Sequence, residues 1–355
     1  MSAFGSLGAP VAQKDVEISQ PPGDTVSELR FSPRANLLAA SSWDNQTRIW
    51  EISSNGQSIP KAAIQHEAPA LCVDWSADGT KLLSGGCDKA GRMMDITTGQ
   101  TMQVASHDAP IKSCRFMEFQ GSTIAVTGSW DKTLRFWDLR QPTPVHTFPL
   151  PERCYAMDAY GPMLVVGTAD RNMLIFSTSN LGQPYKVMPP ILKWQTRTLA
   201  CFPSTDQAEM GFCFGSIEGR CQLQWLEDGS KPPPPPQRSF SFRCHRTEKE
   251  TYAVNSISFH PVYGTFATCG ADGTIAFWDK DAKSRLKNFP TVGSAITASS
   301  FNFDGTIFSY ATGYDWSKGH EEHKQGSKVA IMLHSLNPAD IKPKPPGVKL
   351  PGKKY

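Results

Sequence analysis

Short runs of alternating apolar and polar residues, separated by turn-forming residues, recur along the whole chain. In the run 128–138, Leu134 and Phe136 alternate with polar neighbours, which is the period of a half-buried strand. Asp131 precedes this strand in a predicted turn, where its carboxylate can accept backbone N–H groups two residues further on. The run ends on a Trp–Asp pair. The pattern therefore predicts a hairpin whose last strand is closed by an aromatic residue.

The same unit recurs at a regular distance. Six predicted third strands end on an aromatic residue or a methionine: Trp50, Met94, Trp137, Phe176, Trp225 and Trp278. They are spaced 44, 43, 39, 49 and 53 residues apart, near the period of about 40–45 residues of a WD-repeat blade, with insertions in the later copies. A seventh unit follows at 301–332.

Each unit is a small antiparallel sheet that cannot bury both of its faces alone. Radial stacking of seven such sheets buries one continuous core and leaves only short edges. The sequence therefore predicts an all-β fold, a seven-bladed WD-repeat β-propeller at 16–335. A strand near 16–18 is expected to join the last blade and close the ring. A helical solenoid is disfavoured because the segments alternate with period two and are rich in glycine.

The segments outside the repeats lack this alternation. Residues 1–15 are small and polar, and we expect a flexible N-terminal tail. Residues 336–355 combine several prolines with five lysines, which predicts a basic, disordered C-terminal tail able to contact RNA weakly. Inside the repeats, Pro232–Pro236 are consecutive prolines. Such a run favours a stiff linker, with a ligand for a proline-binding domain as the alternative.

Composition narrows the class of protein. The 355 residues carry a net charge of only +3, so a nucleic-acid site must be local rather than spread over the whole chain. The nine cysteines include no Cys-x-x-Cys pair, which favours buried thiols in a reducing compartment. No apolar run approaches about 18 residues, and the start of the chain lacks the pattern of a secretory signal. We therefore expect no insertion into a membrane.

Three histidines, His66, His107 and His245, precede the turn aspartates of their units. A cluster of His107, Asp131 and Ser129 could be taken for a catalytic triad. However, the same set recurs in several units, and an enzyme needs one site rather than several. We therefore interpret it as a buried structural network.

The run 314–323 contains His320, Glu321 and His323, whose spacing suggests a metal site. The run is a predicted loop, and no cysteine or further histidine lies nearby in the sequence to complete a ligand set. A solvated loop is therefore the favoured interpretation. The sequence predicts no enzyme, no metal and no cofactor.

An ordered set of motifs goes beyond a generic propeller. The set comprises 109–112, 128–138, 150–155, 215–220, 252–255, 259–261 and 314–321. Together they resemble the WD-repeat family of nuclear-pore mRNA export factors, whose members dock on an FG nucleoporin through its GLEBS segment. The mitotic-checkpoint WD-repeat protein is a neighbouring family that shares motifs like 152–155 and 215–220. The run 314–321 and the N-terminal extension favour the export factors, and the proline run departs from their pattern.

The resemblance implies a binding platform. Residues beside the turn aspartates and at the entries of the inner strands should share one face of the propeller. The expected partner-binding residues are Trp43, Trp130, Tyr155, Tyr252, Tyr314 and Trp316. Exposed aromatics on one face would form an apolar patch of the kind that marks a partner site. The alternative is that some of these rings pack against neighbouring blades.

A second site is implied by the family's groove for single-stranded nucleic acid. The expected RNA-binding residues are Phe242, Trp278, Lys280, Lys283, Arg285 and Lys287, which combine cations with aromatic rings. Asp279 and Asp281 offset part of the charge, so weak binding is expected. A solvated loop between blades is the alternative.

The resemblance thus implies a non-enzymatic adaptor in nuclear mRNA export, a monomeric propeller within a heteromeric complex. Its expected partners are a GLEBS-containing FG nucleoporin and single-stranded RNA in messenger particles. Its expected location is the nucleus, at the nuclear pore complex of the nuclear envelope, with shuttling to the cytoplasm. A mitotic spindle-checkpoint scaffold that binds GLEBS-like motifs is the alternative.

Overall fold

The computed structural model describes residues 15–53, 55–226, 238–322 and 328–344. Within these ranges, 28 strands pair into seven four-stranded antiparallel sheets. The seven sheets confirm the predicted all-β, seven-bladed propeller. The proline run 232–236 and His323 lie outside the described residues, as do 1–14 and 345–355.

The first strand of the chain, β1 (Val16–Glu17), belongs to the last blade. Blade one contains β2 (Val26–Phe31), β3 (Leu37–Ser42), β4 (Gln46–Ile52) and β5 (Ser58–Gln65). Blade two contains β6 (Ala70–Trp75), β7 (Lys81–Gly86), β8 (Ala90–Asp95) and β9 (Thr101–Ser106). Blade three contains β10 (Ile111–Phe119), β11 (Ser122–Ser129), β12 (Thr133–Asp138) and β13 (His146–Pro149).

Blade four contains β14 (Cys154–Tyr160), β15 (Met163–Thr168), β16 (Met173–Ser177) and β17 (Lys186–Met188). Blade five contains β18 (Thr196–Cys201), β19 (Gly211–Ser216), β20 (Arg220–Trp225) and β21 (Phe240–Arg243). Blade six contains β22 (Val254–Phe259), β23 (Phe266–Gly270), β24 (Ile275–Asp279) and β25 (Ser284–Asn288). Blade seven contains β26 (Ile296–Phe301), β27 (Ile307–Thr312) and β28 (Ala330–Ser335), followed by β1 at its edge.

Within the ranges that the structure describes, helical structure is limited to short pieces. Gln207–Glu209 and His320–Glu322 are 3-10 turns, and α1 (Pro338–Ile341) is a single helical turn after the last blade. No helix among the described ranges has both the length and the apolar character that a membrane crossing requires.

Successive blades pack through their first strands, which surround a central channel. The first strands of neighbouring blades contact each other around the ring, and β2 contacts β26. The closing residues of the third strands are all buried: Trp50, Met94, Trp137, Phe176, Trp225 and Trp278. Trp137 of blade three, for example, packs with Cys72 and Leu83 of blade two. Burying each such side chain contributes about 1.5–3 kcal/mol, which explains why a blade needs its neighbour.

The N-terminal strand closes the ring, as the sequence predicts. Val16 pairs with Leu333 in an antiparallel ladder between β1 and β28. The carboxylate of Asp15 accepts a hydrogen bond from the Tyr310 hydroxyl at 2.5 Å and lies 2.7 Å from His334 Nδ1. Blade seven is therefore built from both ends of the repeat region, and Asp15 belongs to the propeller rather than to a tail.

The C-terminal boundary lies further along the chain than expected. Asn337 caps α1 by accepting the Ala339 N–H at 3.0 Å, and Ile341 is buried beside Phe277 and Phe308. Residues 336–344 therefore pack on the propeller, and the expected start of a disordered tail at 336 is wrong for them. One apolar side chain in a segment of lysines and prolines supplies the anchor.

The cysteines are dispersed over the blades. Eight of the nine are buried, Cys87 is half-buried, and none forms a disulfide. Burial raises the pKa of several of these thiols, Cys154 and Cys269 to about 12. The thiols therefore behave as small apolar core residues, as the sequence predicts.

Candidate docking face and basic edge

The antiparallel course of each blade sorts the candidate residues onto two faces. The turn between the second and third strands and the start of the first strand lie at one end of a blade. The turn between the third and fourth strands lies at the other end, since neighbouring strands run in opposite directions. Trp43 and Trp130 lie in turns of the first kind, whereas Lys280 and Lys283 lie in a turn of the second kind. The two candidate sites therefore occupy opposite faces of the propeller.

The turns of the first kind have a common geometry. The residue after the turn aspartate, or its equivalent, has a positive φ in all seven blades: Asn45, Lys89, Lys132, Arg171, Gly219, Gly273 and Trp316. At Gly219, a Cβ atom would meet the carbonyl oxygen of Cys244 at 2.5 Å, so this turn requires glycine. The turn aspartates accept the next backbone N–H groups, as Asp131 does from Thr133 at 2.9 Å.

A β-bulge in the first strand of every blade aims one side chain at the mouth of the channel. In all seven blades, the register with the second strand shifts between the first and third residues. A bulge re-aims the residue that is left unpaired. The seven bulge residues are Ser27, Leu71, Lys112, Tyr155, Arg197, Asn255 and Thr297. All seven line one depression of about 600 Å³.

Four of the expected partner-binding residues surround this depression: Trp43, Trp130, Tyr155 and Trp316. Trp43 and Trp316 are 39% and 40% exposed, and their rings stack with centroids 6.5 Å apart. Tyr314 joins them, because its ring lies 5.5 Å from that of Trp316 and its hydroxyl donates to the Gly319 carbonyl at 2.6 Å. We call the surface formed by Trp43, Trp130, Tyr155, Tyr314 and Trp316 the aromatic face.

Tyr252 is not brought into this group. It precedes β22 in blade six, its hydroxyl donates to the Glu250 carboxylate, and it does not line the depression. The backbone N–H of Tyr252 donates to the His245 carbonyl at 3.0 Å. The structure therefore places Tyr252 in the local fold of the connection before β22.

Sequence reasoning missed the cations of the aromatic face. Lys112, Arg153 and Arg197 line the same depression, and the Arg153 guanidinium lies 5.6 Å from the centroid of the Tyr155 ring. Lys112 and Arg197 are bulge residues, so the available signal was a cation one residue after the start of an inner strand. Exposed Ile217, in the corresponding turn of blade five, adds an apolar wall.

Three polar atoms near the depression are buried without a hydrogen-bond partner among the described residues. They are the indole nitrogen of Trp130, Oδ1 of Asn255 and Oγ1 of Thr297. All three residues line the depression. A buried donor or acceptor left unpaired costs about 1–3 kcal/mol. The floor of the depression therefore contains polar groups whose hydrogen-bonding capacity is unused within the described residues.

A network of charges fills one side of the channel below the mouth. Arg115 donates from Nε to Asp158 at 2.8 Å and from a terminal nitrogen to Glu28 at 2.7 Å, and Arg30 also reaches Asp158, at 2.7 Å. Burial raises the pKa of both carboxyls, but the two guanidiniums outweigh burial and hold both pKa values below the ordinary range. Burial instead raises the pKa of Asp74, despite the same two arginines.

The carboxylates of this network also join blades together. Glu28 of blade one accepts the Val73 N–H of blade two at 3.1 Å. Asp74 of blade two accepts the Phe116 N–H of blade three at 2.8 Å. These bonds cross between first strands, so the charged side of the channel holds the blades in register.

The three histidines form structural networks inside blades two, three and six. His107 Nδ1 lies 2.8 Å from Asp131, and its Nε2 lies 2.7 Å from Thr127 Oγ1, which accepts the indole N–H of Trp137 at 2.8 Å. Thr127, and not Ser129, is therefore the hydroxyl of this network. The Ser129 hydroxyl instead donates to the Pro110 carbonyl at 2.9 Å.

The networks of blades two and six share this arrangement. His245 joins Asp272 to Thr268, and His66 joins Asp88 to Ser84. Repetition of one set of contacts in three blades fits a role in folding better than a role in a reaction.

The second candidate site lies on the outer part of blade six. Lys283 and Lys287 are exposed, Arg285 is half-buried, and the ammonium group of Lys280 pairs with Asp281 at 2.8 Å. We call Lys280, Lys283, Arg285 and Lys287 the basic edge. A further cation nearby was not predicted from the sequence. The Arg238 guanidinium lies 4.7 Å from the centroid of the Trp225 ring and pairs with Glu209.

The two aromatic residues expected beside these cations, Phe242 and Trp278, lie next to the basic edge. Trp278 is 8% exposed and donates its indole N–H to Thr268 Oγ1 at 2.9 Å. Phe242 packs on Trp278 with centroids 4.5 Å apart, and the Arg285 guanidinium lies 5.9 Å from the Trp278 centroid. The sequence predicts Trp278 as an RNA-binding residue, but its ring closes the third strand and belongs to the core.

The loop that contains His320 and Glu321 is exposed. Over the described ranges, no three His, Cys, Asp or Glu side chains lie close enough together to hold a metal ion.

Comparison with known proteins places the chain among other propellers. The family model described as "WD domain, G-beta repeat" matches residues 17–51, 60–93, 99–138 and 236–279. These matches correspond to units in blades one, two, three and six.

Three relatives are similar over nearly the whole chain. The "Poly(A)+ RNA export protein" of Schizosaccharomyces pombe is 50% identical, with 94% of each chain covered. The "mRNA export factor GLE2" of Chaetomium thermophilum is 46% identical, over 94% of this chain and 93% of the relative. "Protein Rae1" of Drosophila melanogaster is 45% identical, over 94% of this chain and 97% of the relative. The chain forms a ring of seven blades with repeated His–Asp networks, as described above. Because its relatives are this similar over nearly the whole chain, it belongs to the WD-repeat family of mRNA export factors.

Proposed function

We propose that this chain is a non-enzymatic adaptor in nuclear mRNA export. It docks on the GLEBS segment of an FG nucleoporin through the aromatic face and contacts single-stranded RNA weakly through the basic edge. The observation that carries the proposal is the position of these two surfaces on opposite faces of one ring of blades. An adaptor needs two partners bound at once, and this arrangement keeps them from competing.

The chemistry of the aromatic face supports a peptide as its ligand. The exposed and half-buried tryptophan and tyrosine side chains of this face can concentrate binding energy in a few anchors. The Trp130 ring lines the depression beside Trp43 and Trp316 and adds to the apolar surface that a peptide can cover. Lys112, Arg153 and Arg197 favour a segment that carries acidic side chains at the channel mouth.

The proposed function implies a cellular location and an oligomeric state for this chain. An adaptor held by an FG nucleoporin resides at the nuclear pore complex of the nuclear envelope and moves between nucleus and cytoplasm with its RNA cargo. It acts as a monomeric propeller within a heteromeric complex. The names of the relatives, which refer to RNA export, support this placement.

Titration of a GLEBS-bearing nucleoporin fragment into the purified chain tests the docking, with calorimetry as the readout. We expect micromolar or tighter binding in the unmodified chain. Substitution of Trp130→Ala together with Tyr314→Ala should weaken binding at least tenfold, because two anchors are lost. Tyr160→Ala with Tyr185→Ala is the matched control, since both tyrosines are exposed elsewhere and their loss should leave the affinity unchanged.

Absence of binding at micromolar concentration would overturn the docking proposal, and so would equal losses in the two double variants. In cells, the tagged chain should lie at the nuclear rim. Concentration at kinetochores instead would favour the checkpoint scaffold over the export adaptor.

A further inference from the structure

We propose that Lys193 and Trp194, in the connection before blade five, form an outer anchor of the docking side. This outer anchor binds an acidic stretch of the partner peptide where the peptide leaves the channel mouth. The inference rests on the proposed docking of a nucleoporin segment on the aromatic face, and it extends that site across blades four and five.

The outer anchor lies on the same side of the propeller as the aromatic face. In blade three, the Trp130 N–H donates to the Pro110 carbonyl just before the first strand, at 3.0 Å. In blade five, the Ile217 N–H donates to the Gln195 carbonyl in the same way, at 3.0 Å. Gln195 lines the depression, whereas Trp194 does not. The outer anchor therefore begins one residue outside the rim of the depression.

The other blades have no counterpart of this pair of residues. The same backbone contact aligns Trp194 with one residue in each of them: Asp24, Ala68, Ala109, Glu152, Tyr252 and Ser294. Tyr252 is the one aromatic residue among these six, and its hydroxyl donates to the Glu250 carboxylate. The residues aligned with Lys193 include no cation: Gly23, Glu67, Asp108, Pro151, Thr251 and Gly293. A blade therefore folds without this pair, which favours a role in binding.

Two side-chain contacts hold the connection over the joint between blades four and five. The Arg171 guanidinium, in the turn of blade four, donates to the Lys193 carbonyl. The Gln195 amide donates to the Ala169 carbonyl of the same turn at 3.3 Å. The backbone of the outer anchor is therefore positioned before a ligand arrives, which lowers the entropy cost of binding.

The charge of this region fits an acidic ligand. Lys193 is exposed, and Arg197 is exposed at the channel mouth. Three acidic side chains in the neighbouring turns and connections already have partners among the described residues. Glu152 pairs with Lys132, Glu218 pairs with Arg220, and Asp170 accepts hydrogen bonds from Thr168 and Asn172. Carboxylates of a ligand are therefore the complementary charge for Lys193 and Arg197.

The apolar surface here favours a peptide over single-stranded RNA. The Trp194 side chain is 49% exposed, with the Lys193 ammonium 5.8 Å from its ring centroid. Ile191 and Ile217 are each 42% exposed, and exposed aliphatic side chains mark protein contacts rather than base stacking. Ile217 is hydrogen-bonded to the residue after Trp194 and also lines the depression. It therefore joins the aromatic face to the outer anchor.

Calorimetry with the full chain and a GLEBS-bearing nucleoporin fragment tests the inference. Trp194→Ala should weaken binding about tenfold, because an aromatic anchor is lost. Lys193→Glu should weaken binding about fivefold in 50 mM salt and less in 300 mM salt, since salt screens exposed charges. Tyr185→Ala and Lys186→Glu are the matched controls. Both residues are exposed on the outer part of blade four, and neither change should alter the affinity.

A second fragment, with every aspartate and glutamate replaced by the corresponding amide, separates recognition of charge from a defect in folding. Lys193→Glu should weaken binding of the acidic fragment but not of the amide fragment, because the two changes act on one interaction. A misfolded variant would lose affinity for both fragments by the same factor. Equal losses would therefore overturn the inference.

The outcomes distinguish this inference from the function on which it rests. No binding of the fragment by the unmodified chain would overturn the proposed docking and the inference with it. Unchanged binding in Trp194→Ala and Lys193→Glu, with weaker binding in the Trp130→Ala and Tyr314→Ala double variant, would overturn the inference alone. Weaker binding of oligouridine in these two variants, without weaker binding of the fragment, would assign the outer anchor to RNA and overturn the peptide as its ligand.

Discussion

Thr127 and Trp137 meet inside blade three, where the threonine hydroxyl oxygen accepts the indole N–H at 2.8 Å. The same hydroxyl lies 2.7 Å from Nε2 of His107. One oxygen therefore connects the core tryptophan of the blade to the histidine–aspartate pair at its turn.

Replacing Thr127 with valine should destabilise the propeller by about 1–3 kcal/mol. The change keeps the shape of the side chain but leaves the buried Trp137 N–H and His107 Nε2 without their partner. Urea unfolding measures the loss. Thr123→Val in the same strand is the control, because the Thr123 hydroxyl contacts only the Glu118 carboxylate at the surface. An equally stable Thr127→Val variant would contradict the role of this network.

Stability should fall as the pH drops below about 6.5. Burial lowers the pKa of His107 from its ordinary value, and the neighbouring Asp131 opposes burial only in part. In the unfolded chain, this imidazole binds a proton near pH 6.5, whereas in the folded chain it binds the proton only at lower pH. Protonation therefore favours unfolding, and the stability that is present above pH 6.5 is lost as the pH falls. The slope contributed by one such group is at most about 1.4 kcal/mol per pH unit.

Urea midpoints between pH 8 and pH 5.5 test this dependence in the unmodified chain and in His107→Gln. The variant should be less stable at pH 8 and should lose less stability on acidification. Part of the slope should remain, because burial also lowers the pKa of His260. A variant with the same slope as the unmodified chain would remove His107 from the explanation.

Replacing Arg115 with leucine should cost about 3–5 kcal/mol of unfolding free energy, because it leaves the carboxylates of Glu28 and Asp158 in the channel with less compensation. The Arg115 side chain is 5% exposed. Arg140→Leu is the control: this arginine pairs with Asp138 but is 74% exposed, and we expect no measurable change in the unfolding free energy. Similar losses in both variants would argue against a structural role for the channel network.

Replacing Lys112 and Arg197 with glutamine should weaken binding of the GLEBS-bearing fragment, and more so at low salt. Both side chains come from bulges at the channel mouth, where acidic residues of a partner would lie. Calorimetry at 50 and 300 mM salt measures the effect. Lys61→Gln with Lys186→Gln, on outer strands, is the control. Unchanged affinity at both salt concentrations would show that the bulge cations do not face the partner.

The fold could be predicted from the sequence because the spacing of its repeated units has a physical cause. An aromatic residue or methionine must close each third strand, and its recurrence from Trp50 to Trp278 predicts the blades. Much of the aromatic face could also be predicted from the sequence. Trp43, Trp130 and Trp316 all lie beside turn aspartates, and these turns share one end of the ring.

Other features of the fold and of the candidate sites could not be predicted, because they depend on details that the periodicity of the sequence does not show. Thr127 and Ser129 lie two residues apart on one face of β11, so alternation alone cannot decide which hydroxyl meets His107. Lys112 and Arg197 reach the channel mouth only because a bulge shifts the register, and a bulge is visible only in the backbone. Ile341 is a single apolar residue among lysines and prolines, which is too weak a signal to predict an anchored segment.

The pairing of β1 with β28 has a consequence for synthesis. The two strands are more than 300 residues apart in the chain, so Val16 leaves the ribosome long before its partner Leu333 exists. At 5–20 residues per second, this delay is roughly 16–64 seconds. During that interval β2 to β25 can form their blades in order, but the circle stays open and the edge of the first blade has no neighbour. Newborn chains should therefore need protection from aggregation until translation has passed the final blade.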